Sequence, residues 1–279
     1  MPLVPMPAAV EAARPGGLGA FNVIVLEHAE AIVAAAENAD CPVVLQISQN
    51  TAVYHRGMKP LAAACLQIAS DSSARVVVHL DHATSTELIH DAVDLGIRSV
   101  MFDASALAHQ DNVDATTVVA NWCRDRGVHV EAELGEIGGK DGVHAPGART
   151  DPDEAAAYVE ATGVDALAVA VGSSHAMLTR DAVLDDDLIG RLAAAVPVPL
   201  VLHGSSGVPD AGLVSAVRHG MAKINIATHL NKVMAGAVRR ALTDSELVDP
   251  RKYLGPGRSA VEVEVERLLR LLATSATGP

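Results

Sequence analysis

Three short segments hold the side chains best suited to binding a metal: HLDH (79–82), VGSSH (171–175) and LHGSSG (202–207). They supply His82, His175 and His203. Three neutral imidazoles with an open fourth position make a catalytic zinc site. No compact spacing such as HExxH joins them, so they meet only if the fold gathers them. The competing reading is three isolated, hydrogen-bonded histidines. Acid groups recur beside them: Asp81 directly before His82, then Asp103, then the pair Glu131 and Glu133. Asn225 and Thr228 add hydrogen-bonding groups further on. Of the 12 histidines, His79 lies inside an apolar run and reads as core; His28, His55, His90, His109, His129, His144, His219 and His229 read as isolated side chains.

Spacing sharpens part of this set. Glu131 and Glu133 are two apart, so on a strand they share a face. Facing inward they are costly unless cations or donors compensate, and a metal supplies that compensation. Facing outward they are simply solvated. Asp81 and His82 are adjacent, so a regular strand sends them to opposite sides. Both reach one site only if the strand ends or bends there, as the following ATST turn permits.

The elements that must position these residues are legible as eight β-rich runs: AFNVIV (20–25), PVVLQIS (42–48), RVVVHLDH (75–82), SVMFDAS (99–105), VHVEAEL (128–134), ALAVAVG (166–172), PLVLHG (199–204) and KINIAT (223–228). Most are dense in aliphatics with little alternation, as strands buried on both faces should be. Ala-rich stretches of helical spacing lie between them, several opening after Thr, Asp or Pro and ending in Gly or Asn. Eight such units in 279 residues predict an α/β fold, a single-domain (β/α)8 TIM barrel spanning residues 1–279 with a C-terminal helical extension over about 230–275. A doubly wound sheet is the rival, but it advertises a Gly-rich loop after its first strand, and here AFNVIV runs straight into EHAEA. In a barrel, reactive groups sit at the C-terminal strand ends. The third to eighth runs all deliver such groups to that rim.

Composition narrows the function classes. Hydrophobic residues make up 49% of the chain, with one Trp, three Tyr and two Phe, so small aliphatics fill the core. The formal net charge of −13 argues against a nucleic-acid partner. No apolar run approaches a membrane span, and the N-terminus lacks the pattern of a secretory signal. Cys41, Cys65 and Cys123 form no CxxC. The expectation is a cytoplasmic protein without a membrane partner. HGSSG (203–207) with NIAT (225–228) sits where barrels bind phosphate, although a Gly-Ser loop is also an ordinary turn. The Gly-rich loop GEIGGKDGVHAPGART (135–150) reads as a mobile lid, with simple disorder as its rival.

With AFNV (20–23), HLDHA (79–83), GIRSVMFDAS (96–105), VEAELGEIGG (130–139), AVAVGSSH (168–175), LVLHGSSG (200–207) and KINIAT (223–228), the sequence resembles the class II, metal-dependent ketose-bisphosphate aldolases, on the tagatose- and short fructose-bisphosphate branch. The resemblance runs in order from residue 20 to about 240. It implies zinc on His82, His175 and His203, and Asp81 as acid/base at the substrate's C4 hydroxyl. It implies Asp103 and Glu133 as ligands of a second or displaced metal, with Glu131 behind the first. It places the phosphate of dihydroxyacetone phosphate against Gly204, Ser205, Ser206, Asn225, Ile226, Ala227 and Thr228, with Asn22 and Ser48 lining the pocket and a monovalent cation (Na+ or K+) near the phosphate. It implies a homodimer or homotetramer. Three departures stand out: Ala176 where the family has Gly beside the phosphate, Lys140 and Asp141 where it often has an acidic pair, and a divergent 176–187 loop. Asp141 is then the candidate lid acid.

The implied reaction is reversible aldol cleavage of a ketose (bis)phosphate, fructose or tagatose 1,6-bisphosphate in type. Deoxy-keto-gluconate phosphate and sulfofructose phosphate are the alternative substrates, and a catalytically silent partner subunit is the alternative role. A Schiff-base aldolase needs a lysine inside the barrel, and Lys223 reads as opening the last strand instead. A barrel metal hydrolase lacks its usual HxH on the first strand.

Overall fold

The computed structural model describes residues 3–134, 149–175 and 177–274. Eight parallel strands close in sequence order into a barrel: β1 (Leu18–Asn22), β2 (Val43–Ser48), β3 (Val76–Ala83), β4 (Ser99–Phe102), β5 (His129–Glu133), β6 (Ala166–Ala168), β7 (Leu200–Leu202) and β8 (Met221–Ile226). The helices follow the expected caps. Asp151 accepts the Asp153 and Glu154 N–H groups to open the helix Pro152–Thr162, and left-handed Gly163 closes it. Ser85 and Asp185 cap Thr86–Asp94 and Asp186–Ala195 in the same way. The remaining barrel helices include Leu26–Ala39, Asp210–His219 and Thr228–Ala241; a 25-residue helix, Pro250–Thr274, packs on the first and last of these. No described helix is long and apolar enough to cross a membrane.

Parity along the strands decides what lies inside. The helix Met6–Ala13 plugs the N-terminal mouth, its Met6, Ala9 and Val10 packing with Leu18, Ala20, Val44 and Val77 from the barrel interior. One step further along the same faces the interior turns polar. Asn22, Gln46, Asp81, Glu131, Lys223 and Asn225 succeed the aliphatic layer: Gln46, Asn22 and Asp81 are linked in a chain, Lys223 bonds Glu131, and Asn225 Nδ2 lies 3.1 Å from His203 Nε2, with His79 bonded to Ser99 beside them. Lys223 therefore lies inside the barrel, contrary to the sequence expectation: β8 begins at Met221, and Lys223, two residues before Asn225, takes the same inward face. β6 and β7 are only three residues long, so the chain peels away early there into loops that hold His175 and His203 at the C-terminal rim.

Candidate active site

The three histidines from distant segments converge. The ring centroids of His82 and His203 are 4.7 Å apart, those of His82 and His175 5.0 Å, and those of His175 and His203 5.5 Å. One ring nitrogen from each lies within 4.8 Å of those of the other two. Two backbone features bring them in. Between Leu80 and Ala83, β3 spends three residues where β4 spends two, from Val100 to Phe102. This bulge places His82 at φ +48°, in the left-handed region. The bend falls inside the strand, ahead of the ATST turn, and it turns both Asp81 and His82 into the site. At the other side, Gly204 has φ +67°, and a Cβ there would lie 2.7 Å from the Ser174 carbonyl oxygen. Only glycine lets the His203 loop lie so close to the segment leading to His175. Ser173 Oγ ties the two by donating to the His203 carbonyl at 2.7 Å.

Carboxylates back two of the rings. Asp103 Oδ2 lies 2.7 Å from His82 Nδ1, and its other oxygen accepts the Ser105 hydroxyl at 2.6 Å. Glu131 Oε1 lies 3.0 Å from His203 Nε2, and its Oε2 accepts from Lys223 Nζ at 2.7 Å. Each carboxylate accepts only, so each ring presents an N–H on that side. The opposite nitrogens, His82 Nε2 and His203 Nδ1, face each other 2.9 Å apart, sharing a proton when His82 is charged and presenting two lone pairs when both rings are neutral. Two lone pairs aimed at one point suit a cation, and carboxylate-backed imidazoles are the usual ligands of one. A second group, His82, Asp103 and Glu133, also offers three donor atoms within the same reach.

Electrostatics agree with this donor set. Glu131 and Glu133 are each 1% exposed, so the inward placement of the pair holds. Burial disfavours the Glu131 charge, but Lys223 and the His203 hydrogen bond hold its carboxyl well below the usual range. Burial likewise opposes a charge on His82, yet Asp81, the Asp103 hydrogen bond and Glu133 push it up to about 10. The cluster strongly favours positive charge at that point. His79 is the contrast: fully buried and repelled by Lys223, its pKa falls to about 3, so it is a neutral core residue.

Asp81 is 3% exposed. Burial raises its pKa, but His82, His203 and Lys223 outweigh that and keep it ionised. Asn22 Nδ2 donates to its Oδ2 at 2.9 Å, and Gln46 Nε2 donates to Asn22 Oδ1 at 3.1 Å. Oδ1 is buried with no hydrogen-bond partner among the described residues. Ser48 stands opposite Asp81 in the β2–β3 register and caps the helix Gln49–Tyr54, accepting the Thr51 N–H at 3.2 Å.

The Gly-Ser loop forms one turn of 3-10 helix, Ser205–Gly207. Its hydroxyls serve the fold: Ser205 Oγ donates to the Leu202 carbonyl at 3.0 Å, and Ser206 Oγ accepts the Ala227 and His229 N–H groups at 3.2 and 3.1 Å. The loop is thereby clamped to the start of the helix Thr228–Ala241, beside Asn225, Ile226, Ala227 and Thr228. A cleft of about 410 Å³ adjoins it, lined by Arg180, Ser206, His229 and Lys232 among others. Ala176 and the lid residues Lys140 and Asp141 lie outside the described residues.

Comparison with known proteins now bears on the function. The family model "Fructose-bisphosphate aldolase class-II" matches residues 6–277. The fructose-bisphosphate aldolase of Staphylococcus epidermidis is 39% identical over 282 residues, covering 99% of both chains. The chain belongs to the class II fructose-bisphosphate aldolase family. A fructose-bisphosphate aldolase of Geobacillus stearothermophilus is 38% identical over 263 residues, 92% of each chain. The crystal structure of the YdjI aldolase from Escherichia coli K12 superposes with a TM-score of 0.86 at 32% identity, covering 97% of each chain. The protein is thus a carbon–carbon lyase on a single-domain TIM barrel.

In this aldolase the sequence reading missed Gln46 and the lumen position of Lys223. Both were signalled by strand parity. Gln46 is two residues before Ser48 and Lys223 two before Asn225, so each shares a face with a residue already assigned to the site. Arg180, His229 and Lys232 were missed for another reason. They lie on a loop and a helix, and only the tertiary fold brings them beside Ser206.

Proposed function

We propose that this aldolase binds zinc through His82, His175 and His203 and cleaves a ketose 1,6-bisphosphate to dihydroxyacetone phosphate and an aldehyde. The observation that supports it most is the pair of ring nitrogens, on His82 and His203, that face one point 2.9 Å apart while carboxylates hold the other nitrogen of each ring. The names of the relatives favour fructose 1,6-bisphosphate as the first substrate to test. Zinc supplies Lewis acidity toward the ketose carbonyl and toward the negative charge that develops during cleavage. Asp81, with Oδ2 held by Asn22, takes the C4 hydroxyl proton on Oδ1. The C3–C4 bond breaks, its electrons stay on C3, and the aldehyde leaves. Asp141 returns a proton to C3. Asp103 and Glu133 hold a second or displaced metal, and Glu131 orients His203.

The phosphate lies at Gly204–Ser206 and Asn225–Thr228, at the N-terminus of a 14-residue helix whose dipole favours anions. Ser205 spends its O–H on the Leu202 carbonyl, whereas Ser206 only accepts, so the phosphate's contacts fall to the Ser206 O–H, backbone N–H groups and Thr228. Asn22 and Ser48 line the pocket, Ala176 flanks the phosphate, and a monovalent cation sits near it. The enzyme acts in the cytoplasm as a homodimer or homotetramer.

The test is metal analysis of the purified protein followed by cleavage assays on fructose, tagatose and other ketose phosphates, with and without chelator. The expected result is about one zinc at this site per chain and cleavage that chelation abolishes and zinc restores. Cleavage indifferent to chelator, with borohydride trapping substrate on a lysine, would overturn the zinc reading.

A further inference from the structure

We propose that Lys223 is a positioning residue that holds the His203 imidazole in its metal-binding orientation through Glu131. The inference rests on His203 being a zinc ligand, as proposed above.

Lys223 lies on β8 and Glu131 on β5, strands that are not neighbours in the barrel. Their 2.7 Å contact therefore spans the lumen, where Lys223 is 2% and Glu131 1% exposed. Burying two ions costs several kcal/mol each, and apolar groups of like volume usually serve stability as well or better. Stability alone is thus a poor reason for this pair. Its geometry offers another. The carboxylate is divided between two partners: Oε2 is fixed by the ammonium, which leaves Oε1 aimed at His203 Nε2, 3.0 Å away. That contact puts the ring proton on Nε2 and turns the Nδ1 lone pair toward His82. Without the ammonium, no other described residue fixes Oε2, the carboxylate can rotate, and the ring loses its orientation. The same contact occupies the Lys223 amine, whose place deep in the lumen otherwise suits the Schiff-base chemistry of a different aldolase class.

The experiment measures zinc affinity of stripped protein by competition with a chromophoric chelator at fixed pH, for the native chain, Lys223→Met, Glu131→Gln and the double variant. Met keeps the volume of Lys without its charge. Glutamine keeps an oxygen that accepts the His203 N–H and needs no cation to hold it. Lys223→Met alone should weaken zinc binding by about 10- to 100-fold, the range for groups that orient a metal ligand. In the Glu131→Gln background the same change should cost nothing, or should tighten binding, because it removes an ammonium left without its carboxylate. The double variant should also regain much of what Lys223→Met loses. If Lys223→Met does not fold, the comparison between Glu131→Gln and the double variant decides alone. Tenfold weaker binding on adding Lys223→Met to Glu131→Gln, or unchanged affinity in Lys223→Met itself, overturns the proposal for Lys223. Absence of zinc binding by the native chain would instead overturn the reading of the site, and this inference with it.

Discussion

Among the described residues, Asp81 is held at one oxygen and open at the other, the arrangement a base needs. Asn22 holds Oδ2 and is itself held by Gln46, the neighbouring histidines and Lys223 keep the group ionised, and Oδ1 is buried without a hydrogen bond from any described residue. Asp81→Asn preserves the shape and removes the basic oxygen. Turnover should fall by about 10²- to 10⁴-fold, the usual worth of positioned proton transfer, while zinc content by metal analysis stays near that of the native chain. Loss of the metal together with activity would move Asp81 from base to ligand. Asp103 contrasts with it. Both its oxygens are engaged, by His82 and Ser105, so its geometry suits orientation of a ring or a second metal more than proton transfer.

At the scale of elements, the site depends on two breaks in regular structure. The bulge in β3 lets adjacent residues share one side of a strand, at the cost of a non-glycine residue in the left-handed region. Gly204 lets two rim loops touch. Gly204→Ala adds a methyl that meets the Ser174 backbone and also strains a positive φ, so the His175 segment must move. Stability should drop by roughly 1–3 kcal/mol, and zinc affinity should fall with it, by thermal unfolding and chelator competition respectively. Gly190→Ala, in a helix with open space around it, is the control and should be neutral or stabilising by up to about 1 kcal/mol. Equal effects at both positions would show that the close approach at Gly204 does not matter.

Across the whole molecule, a charged chain ties the C-terminal helix to the rim. Arg180 bonds Asp210, Arg267 bridges Asp210 and Glu264, and Glu264 accepts from His229 at 2.7 Å, at the first turn of the helix that follows β8. Burial raises the Glu264 pKa, but His229 and Arg267 more than offset it and bring it down to about 2. A carboxyl with a depressed folded-state pKa stabilises the fold above its ordinary value of 4.5, and that contribution is lost as pH falls through about 2. Glu264→Gln should therefore cost about 1–2 kcal/mol at pH 7, allowing for solvent screening of its partners. The gap from the native chain should shrink steadily as urea unfolding is repeated toward pH 2. A gap that does not change with pH would assign Glu264 a packing role.

The sequence by itself determined the fold class and the composition of the site. Eight aliphatic runs spaced by amphipathic helices leave few architectures able to bury them, and chemically able residues at their ends mark one rim. It also determined that Glu131 and Glu133 share a face, since parity on a strand is local. Which face that is, and what stands across the lumen from it, was decided by the closed barrel: Glu131 meets Lys223 from 92 residues away only because β5 and β8 curve around one interior. The direction of each imidazole was likewise beyond the sequence, because a ring's orientation is set by the partner on its far nitrogen. Asp103 and Glu131 take up those positions through a bulge and a strand curvature that no local pattern encodes.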